Sequence, residues 1–278
     1  MTDPLRRALV RAPRTQDLAN WSQFGWVSEP DAAVAAREHE GFCDLLRESN
    51  IEVHLALQPV DGDPDAIYVC DPAILSNDGI ILLRPGKPGR RQEPSALGKD
   101  LKDLGIAVAS EMRAPATAEG GDAIWLDEST LLVGRGLRTN AAGIAELQGA
   151  FPDVNVIAFD LPYAKGPKSC FHLMSLLSPL DRDLAVAYVP LMPVRLMEML
   201  AERSIRVIPV PDEEFQTMGP NVLAVAPRAA IAVQGNPETR KRMEAAGVDV
   251  RVYRGDHISH RGEGGPTCLT RPLLRSAA

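Results

Sequence analysis

Ala123-Ile-Trp-Leu126, the polar turn Asp127-Glu-Ser129, Thr130-Leu-Leu-Val133, a helical stretch from Ala141 to Gly149 and an apolar run from Val154 to Ala158 form one continuous segment. Two short apolar runs around a tight polar turn read as a hairpin, and the order is strand, turn, strand, helix, strand. The same order returns downstream. His172 to Leu177 and Leu184 to Val189 precede a helix from Pro193 to Arg203 and a strand from Arg206 to Val210. Val222 to Ala226 and Ala230 to Val233 precede a helix from Glu238 to Ala246 and a strand from Asp249 to Tyr253. Upstream, Ala66-Ile-Tyr-Val69 and Gly79-Ile-Ile-Leu-Leu83 flank Asp71-Pro72 and Asn77-Asp78-Gly79, ahead of a helix from Pro94 to Leu104.

The two ends of the chain complete a fifth unit. An apolar run at Ala8-Leu-Val10 is followed by a helix from Ser28-Glu29-Pro30 to about Arg47, with Val34, Phe42, Leu45 and Leu46 as its apolar face, and by the strand Ile51-Glu-Val-His-Leu55. Thr267 to Leu274 supplies the missing strand. A unit recurring about every fifty residues marks a repeat architecture. Five ββαβ units joined end to end predict an α/β fold, a five-bladed α/β propeller whose sheet edges are protected and whose blades surround a central cavity. A doubly wound parallel sheet fits less well, because tight hairpins before each helix have no place in it. No linker or low-complexity segment divides the chain, so a single domain over residues 1–278 is expected.

The bulk properties narrow the function. Hydrophobic content of 45% and charged content of 24% are those of an ordinary globular protein. A net charge of -7 argues against general nucleic-acid binding and is compatible with a cationic small molecule. Cysteines 43, 70, 170 and 268 are widely spaced, no signal sequence precedes them, and no apolar run reaches the ~18 residues of a membrane span, which together predict a cytoplasmic protein with reduced thiols and no membrane partner. The histidines and cysteines show no metal-ligand spacing, so neither a metal nor another cofactor is expected.

First strands that share a pseudo-axis point their starts at one centre, and reactive residue types cluster there. Asp65, Glu119 with Asp122, His172 and Cys268 all stand at such starts. Cys268 lies in Arg261-Gly-Glu-Gly-Gly-Pro-Thr-Cys268-Leu-Thr, where Gly262, Gly264 and Gly265 allow close backbone approach or positive φ. A cysteine, a histidine and a carboxylate that converge in space are the recipe for an activated thiolate. Read alone, each residue also has a structural role: a half-buried thiol at Cys268, a core histidine at His172, turn residues at Asp71 and Asp122, a solvated arginine at Arg138. His257 and His260 flank the cysteine loop as rival bases. Trp21, Phe24 and Trp26, between Gln16 and Val27, belong either to a binding flap or to packing over the core.

Five pieces, in order, carry a resemblance: Asp65-Ala-Ile-Tyr-Val-Cys-Asp71, Arg84-Pro-Gly-Lys-Pro-Gly-Arg90-Arg, Glu119-Gly-Gly-Asp122 followed by Arg138-Thr-Asn140, Phe171-His172-Leu and Gly265-Pro-Thr-Cys268-Leu. Through them nearly the whole chain resembles the guanidine-modifying superfamily of dimethylarginine dimethylaminohydrolases, arginine deiminases and glycine amidinotransferases, the five-bladed penteins, and most closely the dimethylargininase branch. The resemblance implies Cys268 as nucleophile, His172 as acid/base and Glu119 as its carboxylate partner. It implies Asp65 and Asp71 as guanidinium binders, Asp65 alternatively taking an α-amino group, and Arg90 and Arg138 as grips on a substrate carboxylate. The implied activity is hydrolysis of an arginine-type guanidine to a ureido product through a covalent thiouronium. The alternatives are amidino transfer to an amine and a non-catalytic binder of the same fold. A small guanidino substrate is the expected partner, with a homodimer left open. The segment around Trp21-Ser-Gln-Phe-Gly-Trp26 departs from the short leucine-bearing lid of the dimethylargininases, which bears on substrate choice.

Overall fold

In the computed structural model, residues 1–76, 79–164, 166 and 171–276 are described; the expected turn at Asn77-Asp78 and the thiol of Cys170 lie outside them. Among the described residues fifteen strands, β1 to β15, form five three-stranded sheets. The sheets are β3 (Ala73–Ser76), β4 (Gly79–Leu82) and β5 (Val108–Glu111); β6 (Ala123–Asp127), β7 (Thr130–Arg135) and β8 (Asn155–Asp160); β9 (Leu177–Asp181), β10 (Leu184–Ala187) and β11 (Arg206–Pro209); β12 (Val222–Ala226), β13 (Ala229–Val233) and β14 (Asp249–Tyr253); and β15 (Arg271–Arg275), β1 (Leu5–Val10) and β2 (Glu52–Leu55).

Every sheet is built alike. An antiparallel pair is followed by a helix that returns the chain to a third strand, parallel to the middle one. In the fifth sheet β15 pairs antiparallel with β1, so the two ends of the chain close the ring as the repeat predicts. The middle strands are apolar along most of their length, as in Leu131-Leu-Val133 and Leu184-Ala-Val-Ala187, because they are flanked on both edges and covered on both faces.

Five buried apolar clusters each join two neighbouring sheets. Ile74, Ile81 and Leu83 pack with Leu131 and Val133; Ile124 and Leu132 with Leu177 and Ala185; Leu180 and Val186 with Val222 and Ala230. Leu223 and Ile231 pack with Ala8 and Val10, and Leu9 with Ile80 and Leu82. A core distributed over every seam holds the blades in a fixed angular relation, and the residues at the ring centre inherit it.

The expected helices are present, at Ala32–Glu48, Glu93–Asp103, Ala141–Ala150, Val194–Glu202 and Pro237–Ala245. Asp31 caps the first by accepting from Val34 N (2.8 Å), and Asn140 caps the third by accepting from Gly143 N (2.8 Å). Two expected strands are turns instead. Of Ala66–Val69, Ala66 and Ile67 belong to the 3-10 turn Pro64–Ile67 and no residue is in a strand, because Pro64 opens a helical turn and the Asp63 carboxylate accepts from Asp65 N (2.9 Å). His172–Leu177 begins as the 3-10 turn Leu173–Ser175, in which Ser175 Oγ accepts from His172 N (3.1 Å). The glycines of the cysteine loop do not take positive φ. Glu263 does (57°), while side chains at Gly262 and Gly264 would collide with Tyr68 and Trp26.

Candidate active site

A short turn precedes the first strand of each blade, and each turn carries one or two polar side chains. Asp71 stands before β3, Glu119 and Asp122 before β6, His172 before β9, Asn221 before β12 and Cys268 before β15. The turns are hydrogen-bonded to one another across the seams. Cys70 N donates to Cys268 O (3.1 Å), Gly120 N to Asp71 O (2.9 Å), and Leu173 N to the Asp122 carboxylate (3.0 Å).

His172 and Glu119 form a tight pair between two of these turns. His172 Nε2 lies 2.6 Å from Glu119 Oε2, and each residue is 1% exposed. Burial alone would raise the Glu119 carboxyl, but the hydrogen bond and charge of His172 and the guanidiniums of Arg138 and Arg90 outweigh it and hold the group ionised, well below the usual carboxylate range. The glycines of Glu119-Gly-Gly-Asp122 permit this approach: a Cβ on Gly121 would lie 2.5 Å from His172 Nδ1, and Gly121 N donates to Asp71 Oδ1 (2.9 Å). Asp122 sits behind the pair, accepting from Thr139 Oγ1 (2.7 Å), and burial pushes its carboxyl up to about 6.

His172, Asn221 and Cys268 line a cavity of about 220 Å³. Its remaining wall is largely apolar, with Phe171, Met174, Leu191, Phe215 and Met218 alongside Ser175, Gln216 and Glu263. Cys268 is the one described thiol at this cavity. Burial pushes Cys43 up to about 12 and raises Cys70 as well, which keeps both protonated at neutral pH. Neither rival histidine lines the cavity: His257 Nδ1 accepts from Asp31 N (2.8 Å), and His260 Nδ1 lies 3.6 Å from Asp256.

The remaining expected site residues are engaged with one another. Arg90 is fully buried, with Nη1 2.5 Å from Asp71 and a two-pronged pair to Glu93 (2.5 and 2.9 Å). Burial would lower its pKa, yet Glu93, Asp71, Asp65 and Glu119 keep it well above the ordinary value. Arg138 Nη1 is 3.4 Å from both Glu119 oxygens. Asp65 accepts from the Trp26 indole N–H (2.8 Å) and from Lys87 Nζ (2.5 Å), and Lys87 also donates to Phe24 O (2.5 Å). Asp65 and Lys87 therefore fasten the tryptophan-bearing segment, and Trp26 is buried against the core while Trp21 and Phe24 are half-exposed above it. The donor atoms of Asp71, Glu119 and His172 are within 4.8 Å of one another, close enough to share a cation, and each is already paired, Asp71 with Arg90 and His172 with Glu119.

Sequence reasoning passed over Asn221, Lys87, Glu93 and the apolar wall. Asn221 had a signal available, since it occupies in the β12 blade the place that His172 and Cys268 occupy in theirs. No helix among the described residues is long and apolar enough to cross a membrane.

A family model described as N,N dimethylarginine dimethylhydrolase, eukaryotic, matches residues 22–275. The chain is 27% identical over 268 residues to the N(G),N(G)-dimethylarginine dimethylaminohydrolase of Streptomyces coelicolor, covering 96% of each. It is 26% identical over 260 residues to an arginine deiminase of Listeria monocytogenes, covering 78% of this chain and 62% of that one. Among solved structures, the dimethylarginine dimethylaminohydrolase of Pseudomonas aeruginosa in complex with citrulline superposes with a TM-score of 0.80 at 21% identity, over 98% of this chain and 100% of that one, and shares the fold.

Proposed function

Because this chain belongs to the N,N dimethylarginine dimethylhydrolase family, hydrolases of a guanidino C–N bond, we propose that it hydrolyses an N-substituted arginine to a ureido product and an amine. The five blades act as one catalytic unit over residues 1–278. The observation that carries the reading is that His172, hydrogen-bonded to the buried Glu119 carboxylate, lines one cavity with Cys268.

A guanidinium carbon is a poor electrophile, so the site must hold the planar fork rigidly while a strong nucleophile attacks perpendicular to it. Asp71 and Glu119 suit the fork, and a cation bound beside Cys268 favours its thiolate. Attack by Sγ forms the S–C bond and a tetrahedral adduct. His172, aimed by Glu119, delivers its proton to the departing amine as the C–N bond breaks, leaving an S-alkylthiouronium. The same histidine then takes a proton from water, which adds to the carbon, and collapse of the second adduct expels the thiolate.

Arg90 and Arg138 pair with the same acids that a substrate guanidinium needs. Binding then exchanges ion pairs: the substrate's cationic head takes up Asp71 and Glu119, and the displaced arginines grip its carboxylate. Asp65 takes the α-amino group only by releasing Lys87. The apolar wall formed by Phe171, Met174, Leu191, Phe215 and Met218 favours a guanidinium carrying methyl groups over the bare one.

Incubation with arginine, mono- and dimethylated arginines and agmatine, with the products identified by mass spectrometry, tests the reading. A ureido product with release of a methylated amine supports it. Equal rates with agmatine and methylated arginines would remove the arginines from the carboxylate role.

A further inference from the structure

The turn before β12 presses one amide against the nucleophile. Asn221 is 5% exposed, and its Nδ2 lies 3.6 Å from Cys268 Sγ, a hydrogen-bonding separation for the larger sulfur atom. Its Oδ1 accepts from Thr267 N (3.2 Å) and from Thr267 Oγ1 (2.8 Å). The backbone N–H of Thr267 can only donate, so it requires the amide oxygen on its side and leaves the NH2 group for the sulfur. The amide is also held from behind. Ser178 Oγ donates to Pro220 O (2.7 Å) and accepts from Val222 N (3.1 Å), gripping the backbone on either side of Asn221. A side chain at Gly265 would collide with the amide oxygen, so that position stays open for it.

We infer that Asn221 is a positioning residue for the reaction, donating Nδ2–H to the Cys268 sulfur so that the thiolate is favoured and aimed into the cavity. A thiol accepts weakly and a thiolate strongly, so this donor stabilises the ionised form selectively. The same bond selects the Cys268 rotamer, and with Oδ1 fixed on Thr267 the nucleophile and its donor move as one body. Other titratable groups near the sulfur are His172 and Glu263, which line the same cavity, and the buried Tyr253, whose phenol interacts electrostatically with Cys268. The inference rests on Cys268 being the nucleophile, and its test does not need the substrate to be known.

The rate of alkylation of Cys268 by iodoacetamide, measured against pH and located by peptide mapping, reads the thiolate directly in the parent, Asn221→Asp and Asn221→Ala. Asn221→Asp keeps the acceptor for Thr267 and replaces the donor with an oxygen. Its alkylation midpoint should rise by about one pH unit or more, with the rate at neutral pH falling about tenfold. Asn221→Ala should move in the same direction by less, and it supplies the measurement if the Asp variant does not fold. An unshifted midpoint in a folded variant overturns the role of Asn221. If the midpoint shifts while the parent turns over no guanidine, the proposed reaction fails and the sulfur–amide bond stands.

Discussion

The carboxylate of Glu119 is held by the imidazole of His172 at 2.6 Å, and neither group is open to bulk solvent. A buried carboxylate at that distance fixes both the ring orientation and the nitrogen that carries the proton. Glu119→Gln keeps the shape and removes the charge. We expect kcat to fall at least about a hundredfold, within the roughly 10²–10⁴-fold contribution of a positioned acid/base, and the thermal midpoint to fall as well, because His172 and Arg138 lose a buried counter-charge. Steady-state kinetics beside a melting curve checks this; a parent-like kcat would remove Glu119 from the reaction.

Gly121 bears on the same pair from the other side. Because a Cβ there would meet His172 Nδ1 at 2.5 Å and Asp71 Oδ1 at 3.0 Å, Gly121→Ala must displace either the histidine or the acid. A misplacement of about 1 Å at the reacting groups can cost about 10²-fold in rate. The variant should therefore remain folded by circular dichroism and lose most of its turnover. Full activity would mean that the ring has room the structure does not give it.

The blade order was legible in the sequence because hairpin, helix and strand recur with a steady period, and the pairing of β15 with β1 followed from the leftover strand at each end. The site was legible only in part. Cys268, His172 and Glu119 are unusual residue types in glycine-rich settings, whereas Met218-Gly-Pro-Asn221 reads as an ordinary turn, and its partner is 47 residues away. Nor could sequence show that Arg90 reaches Glu93 and Asp71, or that Lys87 reaches Asp65, because ion pairing depends on side-chain direction across a turn. Ala66–Val69 has the composition of a strand, and the Asp63 cap and Pro64 bend it into a turn.

Asp122 makes the stability depend on pH in an unusual direction. Its carboxyl is raised by burial from 3.8 to about 6, so the folded state binds this proton more tightly than the unfolded chain. The contribution is fully present below about pH 4 and is lost as pH rises through about 6, worth roughly 2–3 kcal/mol. Asn at this position keeps a neutral hydrogen-bonding group beside Thr139. Denaturant unfolding of Asp122→Asn should show a flatter fall in stability between pH 4 and 6 than the parent. Identical slopes would mean that Asp122 does not hold a proton there.

Lys87 fastens the segment carrying Trp21 and Trp26 through Asp65 and Phe24. Lys87→Met deletes the ammonium and keeps the stem. Tryptophan fluorescence of the variant should be quenched more strongly by acrylamide, and KM for arginine-type substrates should change more than kcat. Unchanged quenching would show that the Trp26–Asp65 hydrogen bond and core packing hold the segment without the lysine.

In the proposed reaction Cys268 carries the substrate carbon during turnover. Acid-quenching the enzyme within the first turnovers of a dimethylated arginine, followed by intact-protein mass spectrometry and peptide mapping, tests it directly. A thiouronium on Cys268 requires a transient adduct of one substrate-derived amidino group on the peptide containing this residue, absent from Cys268→Ser, which should also be inactive. Turnover without any adduct at Cys268, or a Cys268→Ser variant with substantial activity, would contradict it.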